Sequence, residues 1–217
     1  MISPLANVSS KAKIGNNVTI EAFATVYDDV EIGDNTHIHP NALIYPDTII
    51  GSNCQIFPGA IIGVVSQDLK YKGEKAITVI GNNTIIREYV TVHKGTSDRM
   101  TTKVGDNCML MAYVHVAHDC IIGNNVILAN YTGLAGHVTI DDFVILEGMC
   151  AVQQFVHIGA HSFLAGASKV RKNVPPYIRV AREPLQYIGV NTVGLARRGY
   201  EKEVINQIED IYRLIFV

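Results

Sequence analysis

The chain has 217 residues, with 18 Lys plus Arg against 20 Asp plus Glu and a formal charge of −2. Its 48% hydrophobic and 18% charged residues exclude a disordered chain and one that coats nucleic acid through a basic surface. Eighteen glycines, no Trp and 7% aromatics call for one core of similar-sized aliphatic side chains, and the length fits a single domain with a small appendage.

The opening MISPLANVSS lacks the basic and apolar segments of a secretion signal, and no apolar run is long enough for a membrane span. A cytoplasmic protein without an integral membrane segment is expected. Cys54, Cys108, Cys120 and Cys150 form no C-x-x-C pair and read as packed free thiols.

From the first residues onward the sequence repeats every six. Ile2, Val8, Ile14, Ile20, Val26, Ile32, Ile38, Ile44, Ile50 and Ile56 are all aliphatic, and the fifth place of each hexad, from Ala6 to Ala60, is small. The register pauses after Ile62, resumes at Ile80, Ile86 and Val92, and then runs from Val104 to Val170. A period of six fits neither the 3.6 of a helix nor the two of a simple strand, so it demands a short strand and a turn repeated in coils. Gly-Asn-Asn at 15, Gly-Asp-Asn at 33 and Gly-Ser-Asn at 51 recur every 18 residues, which makes three strands per coil and a triangular prism. Gly and Asn are expected at the corners because they tolerate positive φ.

Two segments break the hexads, 63–79 with Asp68, Lys70 and Tyr71, and 98–103. Insertions in a solenoid are where function is commonly placed. The prism is expected over 1–177, followed by a helical region over 178–217. There Val204, Ile205, Ile208, Ile211, Tyr212 and Ile215 form one apolar face. The end, Leu214-Ile215-Phe216-Val217, has no polar cap and reads as a truncated chain or a helix end buried against a partner.

Three of the eight histidines cluster. His118 takes the third place of its hexad, one coil below Gly136, with His137 adjoining and His115 just before. Third places point outward. Three histidines can hold Zn²⁺, as in the gamma-type carbonic anhydrases, but Asp119 beside His118 offers a general base its orienting carboxylate. Gly136 offers an unobstructed N–H for an oxyanion. The acid–base reading is favoured narrowly.

The hexads resemble those of the left-handed parallel β-helix of the hexapeptide-repeat acyltransferases. Handedness comes from that resemblance, as does assembly into a homotrimer. The run His115-Val-Ala-His118-Asp119-Cys120, with Leu134-Ala-Gly136-His137-Val138, Gln67-Asp68-Leu69-Lys70-Tyr71, Thr91-Val-His93-Lys94-Gly95-Thr96 and Gly194-Leu-Ala-Arg197-Arg198-Gly199, is similar to the UDP-N-acetylglucosamine O-acyltransferases of lipid A biosynthesis. The resemblance implies that His118 is the general base for a sugar 3-hydroxyl attacking an acyl carrier protein thioester. Asp119 would orient His118, and Gly136 would bind the oxyanion. Asp68, Lys70, His115, His137 and Gln154 would hold the sugar nucleotide, and Asn191 and Arg197 would meet the phosphopantetheine or nucleotide phosphates. No metal or cofactor is implied.

Two departures follow. The family's Val-His-Gln-Phe is here Val152-Gln153-Gln154-Phe155, so a substrate-contacting histidine becomes Gln153, which cannot carry a positive charge. Family members also continue into further helices. Gly166 stands where relatives use a side chain to close the hydrocarbon groove, which implies a long hydroxyacyl chain. Lys169, Arg171, Lys172, Arg179, Arg182, Arg197 and Arg198 gather in the last quarter, as a solubilising surface or as a strip that steers an acidic carrier protein. The N-acyltransferase that acts next in the pathway is the first alternative, but the hexads begin at Ile2 and leave no room for its uridine-binding domain. A zinc-dependent carbonic anhydrase-like trimer is the second.

Overall fold

The computed structural model describes residues 1–216; Val217, the last residue of the apolar chain end, lies outside them. Each hexad contributes a strand that is mostly two residues long, such as Asn7–Val8, Lys13–Ile14 and Thr19–Ile20. Its first-place residue points into the prism. Ile38, Ile44, Ile56, Val116 and Leu134 are wholly buried there. Strands pair in parallel with the coil below, 18 residues apart as in Asn7↔Thr25 and His115↔Gly133. The result is a left-handed parallel β-helix with faces of nine, eight and ten strands. Face one carries His115–Val116, face two Ile121–Ile122 and face three Ile127–Leu128.

The corners meet the expectation for Asn but not for the second-place Gly. Positive φ falls at the fourth place, and Asn17, Asn35, Tyr113, Asp119, His137 and Phe155 all adopt it, with φ between 54° and 66°. The second-place glycines are required for another reason. A Cβ on Gly15 would lie 2.8 Å from the Asp34 backbone N of the next coil, so glycine allows the coils to approach. Along the corner between faces two and three, side-chain oxygens bind the N–H of the coil beneath. Asp34 accepts from Asn16 N at 2.7 Å, Asn124 from Asp106 N at 2.8 Å and Asp142 from Asn124 N at 2.7 Å. The four cysteines are free, buried fifth-place residues.

Both interruptions leave the prism at one corner, between faces one and two. The first connects strand Ile61–Val64 to strand Ile77–Ile80, and the second connects Thr91–His93 to Thr101–Val104. The first excursion is shorter than the break in the hexads, because Ile77–Ile80 pairs with Thr101–Val104 in face two, whereas the second leaves the prism directly after His93, earlier than the break expected at 98–103, and rejoins it at Thr101. Between these strands the irregular chain is 65–76 and 94–100.

The tail differs from the helical region expected over 178–217. Ile178–Ala181 adds to face three beside Phe163–Leu164, and Gln186–Val190 folds back antiparallel to it. Inward-facing Ile178 and Val180 satisfy the sheet, and this alternation overrides any helical pattern. Two helices follow, α1 at Thr192–Arg197 and α2 at Lys202–Phe216. The buried side of α2 is Ile205 and Tyr212, with Phe216 stacked on Tyr187, whereas Val204, Ile211 and Ile215 are exposed. The expected apolar face is thus split: one edge packs on the hairpin and the other is solvent-facing in the single chain.

Candidate active site

The corner between faces one and two stacks His118, Gly136 and Gln154 at third places and Asp119, His137 and Phe155 at fourth places. His118 Nδ1 lies 2.8 Å from Asp119 Oδ2. Asp119 is wholly buried. Burial alone would raise its pKa, but hydrogen bonds from the Thr96 hydroxyl, His118 and the Thr96 and Arg99 N–H groups outweigh it and hold the carboxyl below the usual value. A buried carboxylate that stays ionised fixes the proton of His118 on Nδ1 and leaves Nε2 free to accept one. That nitrogen faces loop 65–76, 3.9 Å from Asp68 Oδ2.

Gly136 is packed against the His118 ring. A Cβ there would stand 2.5 Å from the His118 ring. No acceptor among the described residues takes the Gly136 N–H, which leaves it available to a ligand oxygen. His137 stacks on Phe155 at 4.5 Å and meets the His118 ring edge at 5.0 Å. Asp98 Oδ2 comes within 3.1 Å of His137 Nδ1, yet too far off axis for a hydrogen bond, so the contact is an ion-pair distance without bond geometry.

His115 Nδ1 lies 2.7 Å from Thr91 Oγ1, and its pKa is lowered by burial and by His118. Beneath it His93 is buried, with Nδ1 2.8 Å from Val65 O. Burial and then His115 push the His93 pKa down to about 4, so this ring is neutral at physiological pH and ties down the start of loop 65–76. The Asp68 carboxyl is held below its usual value first by the Lys70 N–H. Lys70 is exposed, 3.8 Å from that carboxylate. Asp68, Lys70, Thr96, Asp98 and His137 line a pocket of about 190 Å³. A shallower trough of about 470 Å³ runs up face one from His115 over Gly133, Ala135, Ala151 and Gln153 to Lys169 and Arg171.

Asp68, Lys70, His115, His118, Asp119, Gly136, His137, Gln153 and Gln154 therefore share one corner or its flanking face. The other predicted site residues do not. Gly166 sits at the corner between faces three and one, where its N–H donates to Glu147 Oε2 at 2.9 Å and a Cβ would meet only Gly148 O closely, at 3.3 Å. Asn191 is buried at the corner between faces two and three. It caps α1 through Gly194 N and donates to His161 O at 2.8 Å, so its amide is engaged within the chain. Arg197 is exposed, whereas Arg198 lies over Phe143 and donates to Phe143 O at 2.9 Å, which makes it an anchor of the tail. Lys169 and Arg171 both lie within 4 Å of Glu183. Asp98 and Arg99 were marked by sequence only through their place in the second interruption, and Thr96 only as the end of the run Thr91–Thr96 quoted for the resemblance; none was given a role.

His118, Asp119 and His137 bring ligand atoms within 4.8 Å of one another, a spacing a divalent cation can use. Asp119 Oδ2 already accepts from Thr96 and His118, and ligation would displace those bonds.

Triangular coils with a histidine column and loops at one corner define a hexapeptide-repeat transferase, and the family model described as bacterial transferase hexapeptide matches residues 11–46, 29–63 and 101–136. A second model, UDP N-acetylglucosamine O-acyltransferase domain 2, matches residues 173–217. The crystal structure of the UDP-N-acetylglucosamine acyltransferase of Bacteroides fragilis superposes with a TM-score of 0.99 at 46% identity, covering 100% of this chain and 85% of that one. The Francisella novicida enzyme gives 0.98 at 42% identity, covering 100% and 80%. Among curated relatives, the acyl-[acyl-carrier-protein]–UDP-N-acetylglucosamine O-acyltransferases of Pseudomonas savastanoi pv. phaseolicola and Aliivibrio fischeri are each 46% identical, over 71% and 72% of this chain. The matched segment spans 60% of the length of each of these curated relatives. The chain belongs to the UDP-N-acetylglucosamine O-acyltransferase family.

Proposed function

We propose that the chain transfers an (R)-3-hydroxyacyl group from acyl carrier protein to the 3-hydroxyl of UDP-N-acetylglucosamine, the first step of lipid A biosynthesis. The observation that carries this reading is the His118–Asp119 pair at 2.8 Å with Nε2 turned to the loop pocket. In the proposed reaction Nε2 takes the hydroxyl proton while the sugar oxygen forms its bond to the thioester carbonyl. Charge developing on the carbonyl oxygen is met by the Gly136 N–H. Collapse breaks the C–S bond, and the proton passes from the imidazolium to the leaving thiolate. Asp119 stabilises that imidazolium without touching substrate. A base acting on an alcohol needs no bound cofactor, since the phosphopantetheine arrives on the carrier protein.

The pocket between the loops suits the sugar nucleotide, with Asp68, Lys70 and His137 lining it, and His115, Gln153 and Gln154 would hold the same substrate from the adjoining face and corner. The trough on face one suits the acyl donor, and Gly166 keeps a neighbouring corner open for a long chain. A homotrimer is proposed because the residues the family resemblance assigns to one site fall on three different corners of a single prism. Arg197 of one copy would then serve the histidine corner of another. Both substrates point to the cytoplasm, and no helix among the described residues is long and apolar enough to cross a membrane.

The test is product analysis after incubation with a 3-hydroxyacyl carrier protein and UDP-N-acetylglucosamine. The reading expects an ester at the sugar 3-oxygen, cleaved by mild base. An amide, or acylation only of a 2-amino sugar, would transfer the assignment to the N-acyltransferase of the pathway.

A further inference from the structure

We infer that Thr96 is a positioning residue for the His118–Asp119 pair, an inference that rests on the acyltransferase reading. The Asp119 carboxylate has no access to water and is held by four donors. Its Oδ2 accepts from Thr96 Oγ1 at 2.6 Å and from His118 Nδ1 at 2.8 Å. Its Oδ1 accepts from the N–H of Thr96 at 3.0 Å and of Arg99 at 3.2 Å. Three of the four donors come from loop 94–100. The loop and the strand that follows it also fix the Asp119 backbone: Arg99 Nη1 donates to Asp119 O at 3.0 Å, and Thr102 Oγ1, in the strand, accepts from Asp119 N at 2.8 Å.

The two Thr96 contacts reach different oxygens of one carboxylate. They set its plane, and with it the direction in which Oδ2 meets the imidazole. A single donor would leave the carboxylate free to turn about its last bond. Thr96 is itself rigidly held. Its O accepts from Met100 N at 2.8 Å, and Gly95 before it lies so close to the returning strand that a Cβ would stand 2.3 Å from Thr101 N. Lys94 N donates to Val64 O at 2.9 Å, and the buried Lys94 ammonium reaches Pro46 O at 3.2 Å. The segment His93-Lys94-Gly95-Thr96 thus braces the start of loop 65–76 at one end and the carboxylate of the catalytic pair at the other. The second interruption of the hexads works from behind the base, where it sets tautomer and ring orientation.

The experiment compares the native chain with Thr96→Val, which keeps the shape and removes the hydroxyl, and with Thr96→Ser, which restores it. Steady-state transfer is measured together with the ¹⁵N shifts of the His118 ring. Native protein and Thr96→Ser are expected to hold the proton on Nδ1 and to have kcat within about twofold of each other. Thr96→Val is expected to lose about tenfold or more in kcat with KM for the sugar nucleotide little changed, and to show a mixed tautomer. Unaltered kcat and tautomer in Thr96→Val, or a rise confined to KM, would overturn the inference. A native His118 protonated on Nε2 would overturn it even if the valine variant did not fold. The tautomer is read without substrate, so a native chain with no transferase activity would count against the acyltransferase reading and leave that measurement standing.

Discussion

A methyl group at position 136 would stand 2.5 Å from the His118 ring, and Gly136 does not adopt positive φ, so alanine costs the backbone little. The clash must be relieved by moving the histidine away from Asp119. Gly136→Ala is therefore expected to fold with a melting temperature within a few degrees of native and to lose activity by about a hundredfold, the scale of a misplaced general base. Calorimetry with steady-state kinetics checks both halves; a variant that melts early or keeps its rate would contradict this packing. His118, Asp119 and Gly136 were legible in the sequence because hexad places translate directly into corner positions. Thr96 and Asp98 were not, since a loop outside the repeat carries no register from which to read a direction. Asn191 was reached by the family resemblance alone, because it lies beyond the hexads; in the single chain its amide caps α1 and donates to His161 O.

Among the elements, the two interruptions matter most, because both spring from the corner that bears the histidine column. The first site of departure was legible as a break after Ile62, whereas the second was read at Asp98 and lies at Lys94, directly after the strand Thr91–His93. Strand pairing of Ile77–Ile80 with Thr101–Val104 extended face two beyond the hexad signal. His93 gives this region a measurable pH response. Its folded pKa of about 4 lies below the ordinary 6.5, so the unfolded chain binds more protons between these values. The associated stability is complete above about pH 6.5 and is lost as pH falls toward 4. At 1.36 kcal/mol per unit the full effect is at most about 3 kcal/mol. His115, lowered in the same direction, adds to the loss. Denaturation midpoints between pH 7 and 4.5 are expected to fall less steeply for His93→Gln than for the native chain, and parallel slopes would contradict the assignment. The hairpin at 178–190 escaped the sequence reading because its strands extend face three without repeating the hexad.

For the whole molecule, period six gave the strand, period eighteen gave the triangle, and stacked aliphatic first places filled the axis. Hand and assembly lie beyond that arithmetic, because neither is encoded in which residues face inward. The proposed trimer expects a sedimentation mass about three times the 23.7 kDa chain. It also expects Arg197→Glu, an exposed change, to raise KM for the acyl carrier protein and to flatten its salt dependence, whereas Arg198 is tied to Phe143 and its loss would loosen the tail. A monomer with unchanged KM in Arg197→Glu would contradict both.

The claim on which the rest depends is that His118 acts as a general base without a metal. It is tested most directly by acyl transfer from acyl carrier protein to UDP-N-acetylglucosamine, measured for the native chain and for His118→Ala after exhaustive chelation of both. The account predicts that native activity survives chelation and that His118→Ala is slower by at least about a hundredfold. Activity abolished by the chelator and restored by Zn²⁺, or a His118→Ala variant as fast as native, would contradict it.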